Sequence, residues 1–273
     1  MTRKNKTLWV KKSMIKKTKL PKLNNPILIA AWPGMGNVAL KAAYYLREEL
    51  NAQEYQKIEP QDFFPIPTIS IRNALIESIR LPESKFYFWK NKDGKNDLLI
   101  FISEAQPIAG KEIRFSHLIL DVAKPAGVKK IFTFAALSST IDHRVKPGVW
   151  GIATSQGMLK QLQKLNINIL HDGHIGGLNG VFLGIAQEAN FEGACLLGEI
   201  PFYATQIENP NASWAVLEVF TQLFKLSLDF SKLSTLTRYM EKEIDNYLIQ
   251  IKEKFSSQEL PEQEKDKGPQ YIH

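Results

Sequence analysis

Four short segments of this 273-residue chain carry residue types that could do chemistry. The first, Gly34-Met35-Gly36-Asn37, lies between an apolar run and a helical pattern. A turn there aims backbone N–H groups and the positive end of a helix dipole at one point, which suits an anion. It lacks the Lys-Ser/Thr pair of a P-loop, and no third glycine follows at the dinucleotide-binding spacing. The two glycines equally permit nothing more than a tight strand-to-helix turn. Gly34, Gly36 and Asn37 are therefore ligand-binding candidates with a structural alternative.

The second segment is His171-Asp172-Gly173-His174-Ile175-Gly176-Gly177-Leu178-Asn179-Gly180. Its glycines mark a loop where backbone approaches something closely, so Gly176, Gly177 and Asn179 join the candidates. His171, Asp172 and His174 are ligand types, but their spacing is not a recognised pair and no third committed ligand is nearby. No metal and no cofactor are assigned. In the third segment, Gly198-Glu199-Ile200-Pro201-Phe202-Tyr203, Glu199 ends an expected strand, where α/β sheets place ligand groups. It could be a base, a ligand contact or an ion-pair partner, and the last is commonest. Asp142-His143-Arg144 is the fourth polar cluster. The Gly-x-Ser-x-Gly elbow of hydrolases is missing. Cys195, the only cysteine, sits in Ala194-Cys195-Leu196-Leu197 and reads as an inert core thiol. No catalytic residue is assigned.

The elements that must position these segments alternate. Residues 27–32 are an apolar run suited to a strand buried on both faces. A helix follows over 38–50, with Leu40, Ala43, Tyr44, Leu46 and Leu50 as its apolar stripe. Residues 63–72 mix prolines with β-branched residues, the pattern of an irregular edge strand or extended loop. Residues 86–89 and 98–102 flank Asp93-Gly94 as a hairpin. A helix over 113–123 presents Ile113, Leu118, Leu120 and Val122. Strands at 130–135, 150–154, 167–170 and 194–200 alternate with helices at 157–165 and 178–189. This alternation predicts a largely parallel sheet flanked by helices. Asn209-Pro210 starts a packed helix running through 214–228. Beyond it Leu233, Leu236, Met240, Ile244, Tyr247, Ile251 and Phe255 recur every three or four residues, the stripe of one long amphipathic helix. That stripe either docks on its own domain or forms a subunit interface, for which Met240, Ile244, Tyr247 and Ile251 are the candidates.

Composition bounds the rest. Residues 1–22 hold nine of the 35 basic residues and no acidic ones, leaving 26 basic against 28 acidic elsewhere. The net charge of +7 thus belongs to a basic arm, with little beyond Leu8 and Trp9 to stack or insert, which argues against nucleic acid. Met14 offers a second possible start. No run approaches a bilayer span, the start has no apolar leader, and one cysteine fits a reducing compartment, so the expectation is a cytoplasmic protein without a membrane segment. The expected organisation is a basic arm (1–25), an α/β domain (26–208), a helical extension (209–255) and a Ser-, Glu- and Lys-rich tail (256–273).

Three of the segments carry a resemblance. Ala30-Ala31-Trp32-Pro33-Gly34-Met35-Gly36-Asn37-Val38-Ala39, the loop 173–180, and Leu197-Gly198-Glu199-Ile200 followed by Asn209-Pro210-Asn211-Ala212 resemble, in order, the motifs of the proteasome assembly chaperone 2 family. The likeness spans roughly residues 25–250. It implies an α/β fold similar to purine nucleoside phosphorylase without that enzyme's catalytic residues. It also implies a non-enzymatic, homo-oligomeric protein-binding protein whose partners are proteasome subunits or another assembly. Several members of that family bind the proteasome through a C-terminal hydrophobic–tyrosine–any tripeptide. Here the chain ends Gln270-Tyr271-Ile272-His273, with Tyr271 one place early. The alternative is an enzyme or sensor of a small anionic metabolite, a nucleoside or phosphorylated compound, at the glycine turns.

Overall fold

The fold grows from one short apolar strand. In the computed structural model, which describes residues 21–60, 62–64, 71–77, 80–93 and 95–256, β1 (Ile27–Ala31) is buried along its whole length. Helix α1 (Val38–Glu49) follows the glycine turn. The chain then forms β2 (Gln53–Ile58), a separate hairpin of β3 (Ile71–Arg72) and β4 (Leu75–Ile76), β5 (Ser84–Trp89) and β6 (Leu98–Ser103). Next come α2 (Glu112–Ala123), β7 (Lys130–Ser139), β8 (Val149–Ala153), α3 (Gln156–Leu162), β9 (Asn168–Ile169), α4 (Leu178–Glu188) and β10 (Glu192–Pro201). Helices α5 (Pro210–Phe224) and α6 (Ser231–Ser256) complete the order. The basic arm, the tail with Tyr271, and Gly94 of the expected hairpin turn lie outside the described residues, although β5 and β6 do pair antiparallel.

Eight strands form one sheet in the order β2-β5-β6-β1-β7-β10-β8-β9. Its centre, β6-β1-β7-β10, is parallel, whereas β2, β5 and β8 pair antiparallel. The sheet is therefore mixed, not largely parallel. Strands β5 and β6 are consecutive and pair antiparallel, so that flank needs no crossover helix, whereas β8 and β9 pair parallel across helix α3.

Side chains of β1 alternate between two cores. Ile27, Ile29 and Ala31 meet α1, α5 and Leu233 of α6 on one face. Leu28, Ala30 and Trp32 meet α2 and α4 on the other. Trp32 packs on Phe101 and Phe182 with ring centroids at 5.6 and 5.3 Å, while Phe132 meets Phe220 edge-on at 5.5 Å. Caps set the later helices: Ser155 Oγ accepts from Met158 N–H, and Asn209 Oδ1 accepts from Ala212 N–H with Pro210 beside it.

Several expectations shift. Helix α1 buries Val38, Ala39, Ala42, Ala43, Tyr45 and Leu46, leaving Leu40 and Tyr44 half-buried, because its alanines let the backbone approach the sheet. Ile113 is 63% exposed. The inward face of α2 is Phe115, Ile119 and Val122, and a residue two places before Phe115 points about 200° away from it. Of the edge strand or extended loop expected at 63–72, residues 65–70 lie outside the described residues, and Ile71–Arg72 pair with Leu75–Ile76 in a separate hairpin. Helix α5 stops at Phe224, where Lys225 turns left-handed at φ 54°.

Gly193 and Gly184 should respond oppositely to a methyl group. A Cβ at Gly193 would lie 2.1 Å from the Ile131 carbonyl oxygen, so Gly193→Ala should destabilise by about 3 kcal/mol or more. Gly184, inside α4 with open space around it, should gain about 0.5–1 kcal/mol as alanine. Urea unfolding of the two variants checks both signs.

Candidate functional site

The connections from β1 and β7 leave toward opposite ends of the sheet, which makes the gap between these neighbours a topological switch point. In open α/β sheets a crevice outside the carboxyl ends of the strands at such a point is the usual binding place. Here it is a cleft of about 490 Å³. Its walls are the turn after β1, the last residues of β7, Leu197 of β10 and the loop leading into α4.

Of the residues expected from sequence, Gly34, Gly176, Gly177 and Asn179 meet in this cleft. Gly36, Asn37 and Glu199 are placed elsewhere. Gly36 has φ +59°; its N–H donates to Thr205 O (2.8 Å) and its carbonyl accepts from Asn209 N–H (2.8 Å). Asn37, also left-handed at φ 48°, donates its N–H to Gly34 O and borders a second groove with Leu40, Tyr44 and Leu236. The free N–H groups expected of this turn are thus partly engaged already. Glu199 accepts from Gly148 N–H (3.0 Å) and Trp150 Nε1–H (3.1 Å), which ties β8 to β10.

Two amide side chains shape the cleft floor. Asn179 is buried, its Oδ1 accepting from Trp32 N–H and its Nδ2 donating to Trp32 O, both at 3.1 Å. Gln106 bridges the same elements: Nε2 donates to Pro33 O (2.8 Å) and Oε1 accepts from Leu178 N–H (3.2 Å). Gln106 was missed from sequence, and its only signal was a position just past a strand's carboxyl end. These contacts explain Gly34 and Gly177. A Cβ at Gly34 would lie 3.3 Å from Asn179 Nδ2, and one at Gly177, with φ +69°, 2.8 Å from Gln106 Nε2. Close packing of turn against helix is their shared requirement.

Chemistry beyond binding has little support in the side chains. Among the described residues, His174 is the single ionisable one lining the cleft. No group of three His, Cys, Asp or Glu residues suited to a metal ion occurs among the described residues. Burial pushes the Cys195 thiol up to about 12, so it is not a nucleophile at neutral pH.

A separate polar cluster joins the loop after β7 to α6. Buried His143 donates from Nε2 to Asp245 Oδ1 (3.0 Å), and its Nδ1 meets the Tyr203 hydroxyl (2.9 Å). In that tautomer the phenol donates to Nδ1 while its oxygen accepts the His143 backbone N–H (3.2 Å). Arg144 also pairs with Asp245. Of the interface candidates, Ile244 is buried within its own protein, Met240 and Ile251 are half-buried, and Tyr247 is exposed.

The architecture is that of a three-layer α/β protein with a switch-point cleft, and comparisons give it a family. The PAC2 family model matches residues 28–248. The chain belongs to the PAC2 family. An uncharacterized protein of Methanocaldococcus jannaschii is 27% identical over 234 residues, covering 82% of this chain and 83% of its own length. Pyrococcus furiosus PbaA, an archaeal homolog of proteasome-assembly chaperone, is 26% identical with a TM-score of 0.66, over 88% of this chain and 94% of PbaA. PbaB of the same organism, an archaeal proteasome activator, shares the fold at a TM-score of 0.72 and 24% identity, over 85% of this chain and 97% of PbaB. Among the described residues, no helix is long and apolar enough to cross a membrane.

Asn179→Ala should strand two buried backbone groups of Trp32 and cost about 1–3 kcal/mol for each, measured by denaturant unfolding. Hydrogen bonds and charge from Arg144, with help from His143, hold the Asp245 carboxyl below its ordinary 3.8. A depressed carboxylate stabilises above its unfolded value and loses that contribution as pH falls through the folded one. The contribution of Asp245 to the docking of α6 should therefore be lost only below about pH 4. Asp245→Asn should reproduce the loosening at neutral pH, seen as faster tryptic cleavage at Arg238 and Lys242.

Proposed function

We propose that this protein is a non-enzymatic, oligomeric protein-binding protein of the chaperone type, acting on proteasome subunits or a comparable assembly in the cytoplasm. The observation that carries the reading is the likeness to PbaA across 88% of the chain. It is supported by a cleft whose amides, buried Asn179 and exposed Gln106, are held by backbone partners instead of being aimed at a substrate. In this reading the phosphorylase-like shell implied by the family serves recognition. Helix α6 supplies the subunit contact through its outward residues, with Tyr247 and Ile251 nearer the interface than Ile244.

A small anionic metabolite is the second reading, favoured by the size and switch-point position of the cleft. Among the described residues its lining has no lysine or arginine, which weighs against that reading.

Affinity capture with purified proteasome α subunits, read by native mass spectrometry, should show a complex that depends on the last four residues or on the folded surface. Light scattering should show an oligomer that Tyr247→Glu with Ile251→Glu reduces. Absence of both the complex and the oligomer, together with strong thermal stabilisation by a nucleotide or phosphosugar, would favour the metabolite reading.

A further inference from the structure

Neighbouring strands of the central sheet end at different heights. Strand β7 runs ten residues, whereas β1 beside it runs five. Their ladder stops at the Ala30–Thr133 pair, while β10 accompanies the opposite edge of β7 as far as the Pro201–Ser139 pair. Among the described residues, the backbone of residues 135–138 therefore has ladder partners in β10 alone. Alternate residues of a strand turn their N–H and C=O to opposite edges, so the other edge presents unpaired donors and acceptors. Where β1 would have continued, Asn179 has already taken the Trp32 backbone groups.

This free edge faces the switch-point cleft, which residues 135–138 line. Exposed strand edges are usually guarded by charge, proline or a bulge. This one reads Ala135-Ala136-Leu137-Ser138 and has none of these. Repeating main-chain groups are best matched by another main chain, and small side chains leave room for the alternating residues of an added strand. The remaining walls include Met35, Ile175 and Leu197, and among the described residues they carry no lysine, arginine or carboxylate, which favours an uncharged occupant.

We propose that the free edge of β7 at residues 135–138 accepts an extended, uncharged aliphatic segment of a partner protein as an added strand, over a register of about 13 Å. The proposal rests on the protein-binding reading and deepens it by naming the partner's chemistry.

The test pans a phage-displayed random heptapeptide library against the full chain and follows the strongest synthetic peptide. Expected are uncharged, β-branched or aliphatic cores and at least tenfold slower hydrogen exchange at amides within 135–138. Binding should be lost when alternate peptide nitrogens are methylated. Ser138→Trp, at an exposed position lining the cleft, should abolish binding with melting unchanged, while Ser138→Ala retains it. Peptides that protect another surface, tolerate N-methylation in both alternations, or bind Ser138→Trp normally overturn the proposal. So does no enrichment at all, or a gain of binding on deleting residues 257–273, which would make the chain's own tail the occupant. If proteasome-subunit capture persists undiminished in Ser138→Trp, the strand-addition site falls while the protein-binding reading stands.

Discussion

The structure depends on how β1 ends. A central strand that stops inside a sheet leaves backbone groups in a place water reaches poorly, and each unpaired group costs as much as a lost hydrogen bond. Asn179 resolves this with a primary amide, which imitates a neighbouring strand by offering one acceptor and one donor to Trp32. The contact crosses 147 positions of sequence and fixes the first turn of α4 against the exit of β1. Gln106 then ties Pro33 to the α4 N-terminus from the β6 side. The cleft is a consequence: β1 turns away, β7 continues, and two amides hold the gap open.

The same constraint decides between two accounts of the glycines. Anion binding needs N–H groups that are unoccupied and a positive field. At Gly36 and Asn37 the N–H groups already meet carbonyl oxygens, and Leu178 N–H meets Gln106. Close approach needs only missing Cβ atoms, and at Gly177 both the space and the positive φ demand glycine. Packing therefore accounts for Gly34 and Gly177, whereas a side chain at Gly176 would meet open space. Glu199 follows the same pattern, since its two acceptor contacts join strands instead of facing the cleft.

Much of this was legible in the residues. Continuous apolar runs announced β1, β6, β7 and β10 because strands buried on both faces need no alternation. The polar edge strand β2, reading Gln-Glu-Tyr-Gln-Lys-Ile, carries no such run and went unseen. Strand direction was not legible either, since it depends on where each connection crosses the sheet. The β3–β4 hairpin turns on Asn73 and Ala74, both at positive φ, and alanine gives no hint of that conformation. Of the candidate site, the glycines and Asn179 could be found by their clustering near helix starts. Gln106 and the Asp245 partner of His143 could not, because contacts 73 and 102 positions apart leave no local pattern.

Helix α6 shows how a correct periodicity can still leave its use undecided. Of its stripe the domain takes only part: Leu233 and Ile244 are buried, Leu236, Met240 and Ile251 half-buried, and Tyr247 exposed, while Tyr239 and Ile249 off the stripe are exposed too. A helix of 26 residues extends about 39 Å, longer than the α5 surface beneath it. The His143–Tyr203–Asp245 cluster fastens it at mid-length, next to the loop that follows β7. Scattered exposed tyrosines are ordinary on a protein surface. Here, however, they share one helix with an aliphatic residue beyond the last buried contact, on a segment whose inner face is already fixed. On the protein-binding reading proposed above, the outward side of a helix already held by its own domain would lose little entropy on meeting a second protein.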